Sequence, residues 1–439
     1  MNNKKQGQGL ASFGKAGWGT IIFCMAMFWF FVGFCTDGNN VSAPAAAAHL
    51  GVDAGTILTR NSYAGLLGVV FYILMSQLAR KIGAKKVASI CLFISAGAFY
   101  FIGNPTSLLG YTIAYTFLIG ASMSAGYVAG GALVAKWFPK RKGIVMGYTT
   151  MGLNIASATW VLMMTTISNK ITFEKAVLVP CVLVALLGLI GLIFVKDTPQ
   201  EYGQNPDNVT DEVYATEYDT NEADSTDSRW TTGQLLKTRE VWTVGLATGV
   251  LQLCSTGVMS QLVSRNIELG MTQAEAVSMM TVVAVVGIFG SWFIGVLDDK
   301  FGTKKTMIVF CLWYALAVLA NVTGTKWGMY LAVFMIGMSI GGSANFMSSL
   351  PTSVFGRQGF EKVNSVIFPI QAIMTCVAFL IDGLALKLTG SLRGAYIVVA
   401  CFALANMVIV ALTRDHYYNL DFKSEQNATV SGNASAVAE

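Results

Sequence analysis

Long apolar runs alternate with short polar turns from one end of this chain to the other. Each run lasts about 20 residues, the length a helix needs to cross the hydrocarbon of a bilayer. The runs predict twelve transmembrane helices, at residues 18–40, 60–79, 87–103, 108–135, 143–168, 175–195, 241–266, 274–297, 304–323, 327–353, 362–387 and 392–412. The expected fold class is an all-α membrane protein. The turns "GNPTS" (Gly103–Ser107) and "VTGTK" (Val322–Lys326) are so tight that the helices flanking them must be antiparallel neighbours. The first run is too long for the core of a cleaved secretion signal and carries "CTDGNN" in its outer half, so it reads as a retained span.

The polar turns repeat. "SQLARKIGAKK" begins at Ser76 and "GVLDDKFGTKK" at Gly295, an offset of 219. Between later spans, Phe138 of "KWFPKRKG" matches Phe355 of "SVFGRQGFEK" at 217, and Trp18 and Trp242, opening spans one and seven, stand 224 apart. Three matches in one order predict two duplicated halves of six spans each, 18–196 and 241–413. Between them, residues 197–240 form a linker in which "TDEVYATEYDTNEADSTD" has no Lys or Arg, a composition that stays solvated. Tails are expected at 1–17 and 414–439.

Charge orients the chain. Of 29 lysines and arginines, 22 fall in the turns and tails on the side of the two termini, against 7 on the other. Lys and Arg gather on the cytoplasmic face, so both termini are expected there. The same clustering in short turns argues against a nucleic-acid partner. Composition agrees with a membrane protein: 54% hydrophobic and 12% charged, where a soluble chain carries about 25% charged residues. The eight cysteines all lie inside apolar runs, with no CxxC or Cys/His spacing, so neither metal nor disulfide is expected.

The turn between spans two and three of the major facilitator superfamily reads roughly Gly-x-Leu-Ala-Asp-Arg-x-Gly-Arg-Lys. The second copy here resembles it through Gly295, Leu297, Asp299, Lys300, Gly302 and Lys304, and the first through Leu78, Ala79, Lys81, Gly83 and Lys85, with Arg80 at the Asp position. The chain resembles this superfamily over its whole length. The resemblance implies two parallel six-helix repeats and alternating access. It also implies gating residues. Asp299 would face the start of span five near Gly143 with Arg357 beside it, and Arg80 would face the start of span eleven near Glu361. Within the superfamily, "AKWFPKRKGIVMG" (Ala135–Gly147) and "DTPQEYGQNPDN" (Asp197–Asn208) look like the oxalate/formate antiporter and monocarboxylate porter group. "TDGNNVSAPAAAAHLG" is similar to the first span of anion:cation symporters, matching at Asp37, Asn40, Ser42 and Pro44, with Gly38 where that group has arginine. Span eight carries no charge and Lys387 lies at the outer end of span eleven, so binding of a dicarboxylate between two buried cations is not expected.

An ionisable group inside the bilayer costs about 2.5–3.5 kcal/mol on insertion scales and is rare unless it works. Asp37 and Asp382 are the proton-coupling candidates. Asp37 shares a helical face with Asn40; its structural alternative is a cap where the helix bends before Pro44. For Asp382 the favoured alternative is a pair with Lys387 near the outer surface. Arg265 and Arg60, toward the outside, either bind an anion or snorkel to headgroups. Asn40, Tyr115, Tyr127, Tyr148, Asn154, Gln261, Arg265, Asn345 and Gln371 are the substrate-binding candidates, the polar ones at midplane depth. The stripes Ser122/Gly126/Gly130 and Gly337/Gly341/Asn345 suit helix packing. No catalytic constellation and no phosphate-binding Gly-Lys-Ser/Thr loop is present, so transport must run on an ion or substrate gradient without a cofactor. The reading is a monomeric secondary transporter of a prokaryotic inner membrane. It would take up a small organic anion, a carboxylate, with a proton. Exchange against a counter-anion is the second reading and export of amphipathic compounds the third; a non-transporting receptor lacks the added signalling domain it needs.

Overall fold

The computed structural model describes residues 13–217, 230–356 and 360–419; the side chains of residues 341, 360 and 361 lie outside that description. Every described element is helical, and twelve of the described helices are long and apolar enough to cross a membrane. In chain order they begin with α1 (Gly14–Cys35), α2 (Asn39–Leu50), α3 (Ala54–Ile82) and α4 (Ala84–Gly103). Next come α5 (Leu108–Met123), a π-helical turn over Ser124–Gly130, α6 (Gly131–Trp137), α7 (Lys142–Ile171), α8 (Phe173–Ala176) and α9 (Leu178–Phe194). The short α10 (Asp211–Glu217) and α11 (Thr232–Lys237) precede α12 (Arg239–Met259), α13 (Leu262–Glu268) and α14 (Gln273–Phe301). Last are α15 (Thr303–Val322), α16 (Lys326–Phe355), α17 (Phe360–Thr389) and α18 (Arg393–Leu412). Below, the basic end of a helix is the one bearing the Lys- and Arg-rich turns, and the far end is its opposite.

Local chemistry sets the helix ends. Ser107, Thr272 and Thr325 each accept a backbone N–H three residues on, satisfying a donor the first turn leaves unpaired. The duplicated basic turns share a backbone as well as a sequence. Gly83 and Gly302 sit at φ +94° and +84° with ψ near 150°, a region open to glycine alone, so each turn needs its glycine for the two helices to reverse.

Compactness divides the chain into two units, one within Met1–Leu50 and Leu67–Ala223 and the other within Gly51–Leu66 and Asp224–Glu439. The far-end part of α3 thus belongs with the second unit, where Gly383 of α17 lies against Gly55 and Thr59 with no room for a side chain. Inside the first unit α1 packs on α7 and α4 on α9; inside the second the repeat-related pairs recur, α12 on α17 and α15 on α18.

At the basic end of the first unit, the two stretches that resemble the carboxylate porters meet. Trp137 Nε1 donates to Lys196 O at 2.9 Å, and the Asp207 carboxylate accepts from the backbone of Lys140 (3.0 Å) and Arg141 (3.2 Å). Asp197 accepts from Lys85 N at 2.9 Å, placing a carboxylate on the positive end of α4. In the second unit the segment after α18 straps the basic ends together. Lys304 Nζ donates to Thr413 O at 2.9 Å, Tyr418 N to Val354 O at 3.0 Å, and the Tyr418 ring stacks on Phe355. All eight cysteines are free thiols; seven are buried and Cys401 is exposed.

Candidate functional site

Span one is not continuous. α1 stops at Cys35, and the chain turns through Thr36–Gly38 before α2 begins. The turn is forced by close packing. A Cβ on Gly38 would lie 1.7 Å from Gly33 O, and one on Gly33 would lie 2.2 Å from the Trp160 ring, so glycine is required at both positions. Breaking the helix strips the last carbonyls of α1 of their partners. Cys35 O recovers two: Asn39 Nδ2 donates to it at 2.9 Å and Tyr115 Oη at 3.1 Å, while Asn39 Nδ2 also reaches Tyr115 Oη at 3.0 Å.

Asp37 sits in the break, 3% exposed. The hydroxyls of Ser157 on α7 and Thr36 lie beside its carboxyl while donating to Leu153 O (3.3 Å) and Val32 O (3.0 Å), and its Oδ2 has no partner. Asn40 Nδ2 donates to the Asp37 backbone carbonyl at 2.8 Å, not to its carboxylate. Beneath the break Trp160 meets Trp29, Phe34 and Phe99 at centroid distances of 4.9, 5.2 and 6.0 Å, an aromatic floor. Asn154 lies three residues before Ser157 on α7, half-buried, and Tyr127 packs on Phe28 and Phe31 from the π-helical turn. Tyr148 is not at midplane depth. It packs on Phe13 and Trp18 at the basic end of α1, and Trp18 to Asp37 is roughly 28 Å of helix rise. One small molecule cannot touch Tyr148 and Asp37 together.

Span seven breaks as well, between α12 and α13 at Ser260–Gln261. The expected Asp382–Lys387 pair does not form: Ser260 Oγ donates to Asp382 Oδ2 at 3.5 Å, Asp382 is fully buried, and Lys387 is exposed with Asp53 as its charged neighbour. Five residues turn a helix by about 140°, so the two side chains leave α17 in different directions. Arg265 neither snorkels nor faces solvent. It is 2% exposed, its Nε donates to Asn321 Oδ1 (2.9 Å) and its guanidinium to Glu268 (2.8 Å), and it lies over the Tyr396 ring at 5.6 Å. Glu268 in turn accepts from Leu392 N at 3.1 Å and from the Ser391 hydroxyl.

The other candidates in this unit are each engaged. Gln261 Nε2 donates to Ser260 O (2.6 Å), Asn345 Nδ2 to Ser291 O (3.1 Å), and Gln371 Nε2 to Thr248 Oγ1 (2.7 Å), which leaves the buried Gln371 Oε1 unpaired. Sequence reasoning passed over Asn39, Ser157, Ser260 and Gln252, whose Nε2 donates to Ser343 O at 3.3 Å. Of the gating candidates, Arg80 and Asp299 are exposed at the basic ends of α3 and α14, the Glu361 side chain is not described, and Arg357 lies outside the described residues.

A model of the family described as Major Facilitator Superfamily matches residues 19–379. The chain belongs to that superfamily. It is similar to an uncharacterized transporter of the superfamily, YhjX of Escherichia coli (strain K12), at 20% identity over 299 residues, 66% of this chain and 69% of that one. The oxalate:formate antiporter of Oxalobacter formigenes is 23% identical over 269 residues, 58% of each chain. The hexose-6-phosphate:phosphate antiporter of Salmonella typhimurium is 23% identical over 276 residues, again 58% of each. The chain therefore spans under two thirds of the length of these two antiporters. Among solved structures, a D-xylose-proton symporter superposes with a TM-score of 0.68 at 15% identity, covering 90% of this chain and 98% of that one, which is a likeness of fold. This superfamily member is a multi-pass membrane transporter and not an enzyme.

Proposed function

We propose that this transporter carries a small organic carboxylate into the cell together with a proton. The observation that carries the reading is Asp37, a buried carboxyl with one unpaired oxygen at the break in span one. A charge held there is costly, and binding a proton removes the cost. Asp37 is the proton carrier in this reading. Asn154 and Tyr127 are the substrate contacts nearest its helices in the first unit. Tyr115 and Asn40 hold the break open. The two six-helix halves, 18–196 and 241–413, are joined by the acidic linker and lie in an inner membrane. Both termini are cytoplasmic, and Arg80, Asp299, Arg357 and Glu361 control closure of that side. The similarity to the oxalate:formate antiporter supports a carboxylate substrate and equally supports the second reading, exchange of one carboxylate for another.

The test uses purified protein in liposomes that trap a pH-sensitive dye, with protein-free liposomes setting the leak. Formate, oxalate and a set of larger carboxylates are added outside. Symport acidifies the lumen with the true substrate, and Asp37→Asn does not. Counterflow of preloaded carboxylate without acidification would replace symport by exchange. Neither response to any carboxylate would sink the carboxylate reading.

A further inference from the structure

The two helix breaks are repeat-related. At the offset of 224 that links Trp18 to Trp242, Thr36 corresponds to Ser260, Asp37 to Gln261 and Gly33 to Gly257. Each break also packs on the corresponding helix of its own unit, α7 or α17. In the first unit the carboxyl is on the broken span and the hydroxyl on its neighbour, Asp37 and Ser157. In the second unit the arrangement is exchanged: the hydroxyl, Ser260, is on the broken span and the carboxyl, Asp382, on the neighbour.

We propose that Asp382, held by Ser260 at the break in span seven, is a second proton-binding site, so that each unit carries its own. Asp382 is fully buried, its Oδ1 has no hydrogen-bond partner, and its Oδ2 has only the 3.5 Å contact with Ser260. A carboxylate so placed is left with most of its desolvation cost. Of the charged or titratable groups on the helices packed there, Tyr396 on α18 interacts with Asp382, and Arg265 and Glu268 on α13 interact with Tyr396. The Arg265 guanidinium, over the same Tyr396 ring, is bound to Glu268 and Asn321. The Gly51–Leu66 segment meets α17 through Gly55 and Thr59 against Gly383, and its Asp53 faces Lys387 of α17. Tyr396 cannot share a proton with the carboxylate at rest, since its hydroxyl donates to Val258 O at 3.3 Å.

The break also argues for a proton over a metal cation. A metal ion needs several oxygens converging on it. The carbonyls at this break are already engaged: Val258 O accepts from Gln261 N (3.4 Å) and from Tyr396 Oη, and Ser260 O accepts from Gln261 Nε2. A carbonyl has two lone pairs, so Val258 O has none to spare. A proton needs only the free Oδ1. It forms one O–H bond there, converts the carboxylate to the neutral acid, and leaves again to water when the site opens. This goes beyond the carboxylate-symport reading and does not depend on its substrate.

The experiment needs protons alone. The full chain in lipid nanodiscs is titrated across the neutral range, and the protonated-carboxyl bands are followed by infrared difference spectroscopy. Wild type should give two pH-dependent buried-carboxyl bands. Asp382→Asn should remove one and leave the other, and Asp37→Asn should do the converse. If Asp382→Asn does not fold, two milder variants decide. Asp382→Glu should move the band, and Ser260→Ala should keep it at a new frequency because the hydroxyl no longer bonds to the acid. A wild-type pattern in all three Asp382 and Ser260 variants overturns the proposal, as does an Asp382 band that ignores pH. Loss of that band on adding sodium at fixed pH also overturns it, in favour of a metal cation. Because no carboxylate is added, failure of the substrate reading leaves this result untouched.

Discussion

The break in span one and the break in span seven start from one ancestral plan and are filled differently. In the first unit α7 presents Trp160 to Gly33, and the ring occupies the space where a side chain would go. In the second, Gly257 stands at the corresponding place and a Cβ there would meet nothing closer than Val399 at 3.5 Å, with Ala378 at 3.6 Å and Asp382 Oδ1 at 3.9 Å. One unit thus carries its acid on the turn and locks the turn with an indole. The other carries its acid on the helix opposite and leaves slack. A duplicated scaffold can therefore keep the position of a buried carboxyl–hydroxyl pair while moving the carboxyl from one helix to the other. What the pair requires is the junction of a broken helix with its neighbour, not a particular sequence position.

The comparison breaks first, and most heavily, at the two acids. Asp37→Asn should reduce proton-driven accumulation to the level of protein-free liposomes in the dye assay; normal accumulation would make Asp37 a structural cap. Next in size is Arg265→Ala. Of the Arg265–Glu268 pair only the arginine is buried; Glu268 is exposed and keeps Ser391 and Leu392, so the loss is chiefly the donor to the buried Asn321 Oδ1 and the packing of the guanidinium, about 1–3 kcal/mol. The variant should show a marked loss of thermal stability in detergent, whereas an anion-binding role predicts a stable protein with impaired transport.

The glycines sharpen the contrast at a similar or smaller scale. Gly33→Ala forces a methyl group into Trp160 and should cost about 1–3 kcal/mol, as overpacking does. Gly257→Ala makes only ordinary van der Waals contacts, at 3.5–3.9 Å, and should change stability by no more than about 1 kcal/mol. Equal melting temperatures for the two variants would mean that the breaks are packed alike. A comparably small effect concerns Asp53, which caps α3 through Thr56 N (2.8 Å) and Thr56 Oγ1 (2.6 Å). Thr56, and then the charge of Lys387, hold its carboxyl below the usual range. Asp53→Ala should cost about 1 kcal/mol. A lowered folded value means that the contribution is complete above about pH 4 and is lost as pH falls through the folded value. Acidification should therefore erase the difference in melting temperature between wild type and variant.

The spans were legible because bilayer thickness sets the length of an apolar run. Their continuity was not, because apolarity does not report whether a helix is broken inside the run. An unbroken helix would place Asn40 beside the Asp37 side chain. The turn at Thr36–Gly38 instead sends Asn40 to the Asp37 backbone and gives the supporting role to Asn39. Ser157 and Ser260 carried no signal, since single serines are common in membrane helices and these two matter only through packing. Asp382 was visible as a buried charge, but charge counting paired it along its own helix, where geometry forbids the contact. The duplicated turns were the most informative feature: their shared glycine reported a shared backbone before any coordinates.

The distribution of thiols has a practical consequence. Seven of the eight cysteines are buried, and the exposed one, Cys401, lies well inside α18, where its surroundings are hydrocarbon. A charged, water-borne maleimide does not partition into hydrocarbon to reach a thiol there. The natural chain is therefore a nearly silent background for water-borne labels. Two engineered cysteines, one per unit, would carry a spin or fluorophore pair with no need to strip the native ones, and would report how far the units move as protons bind.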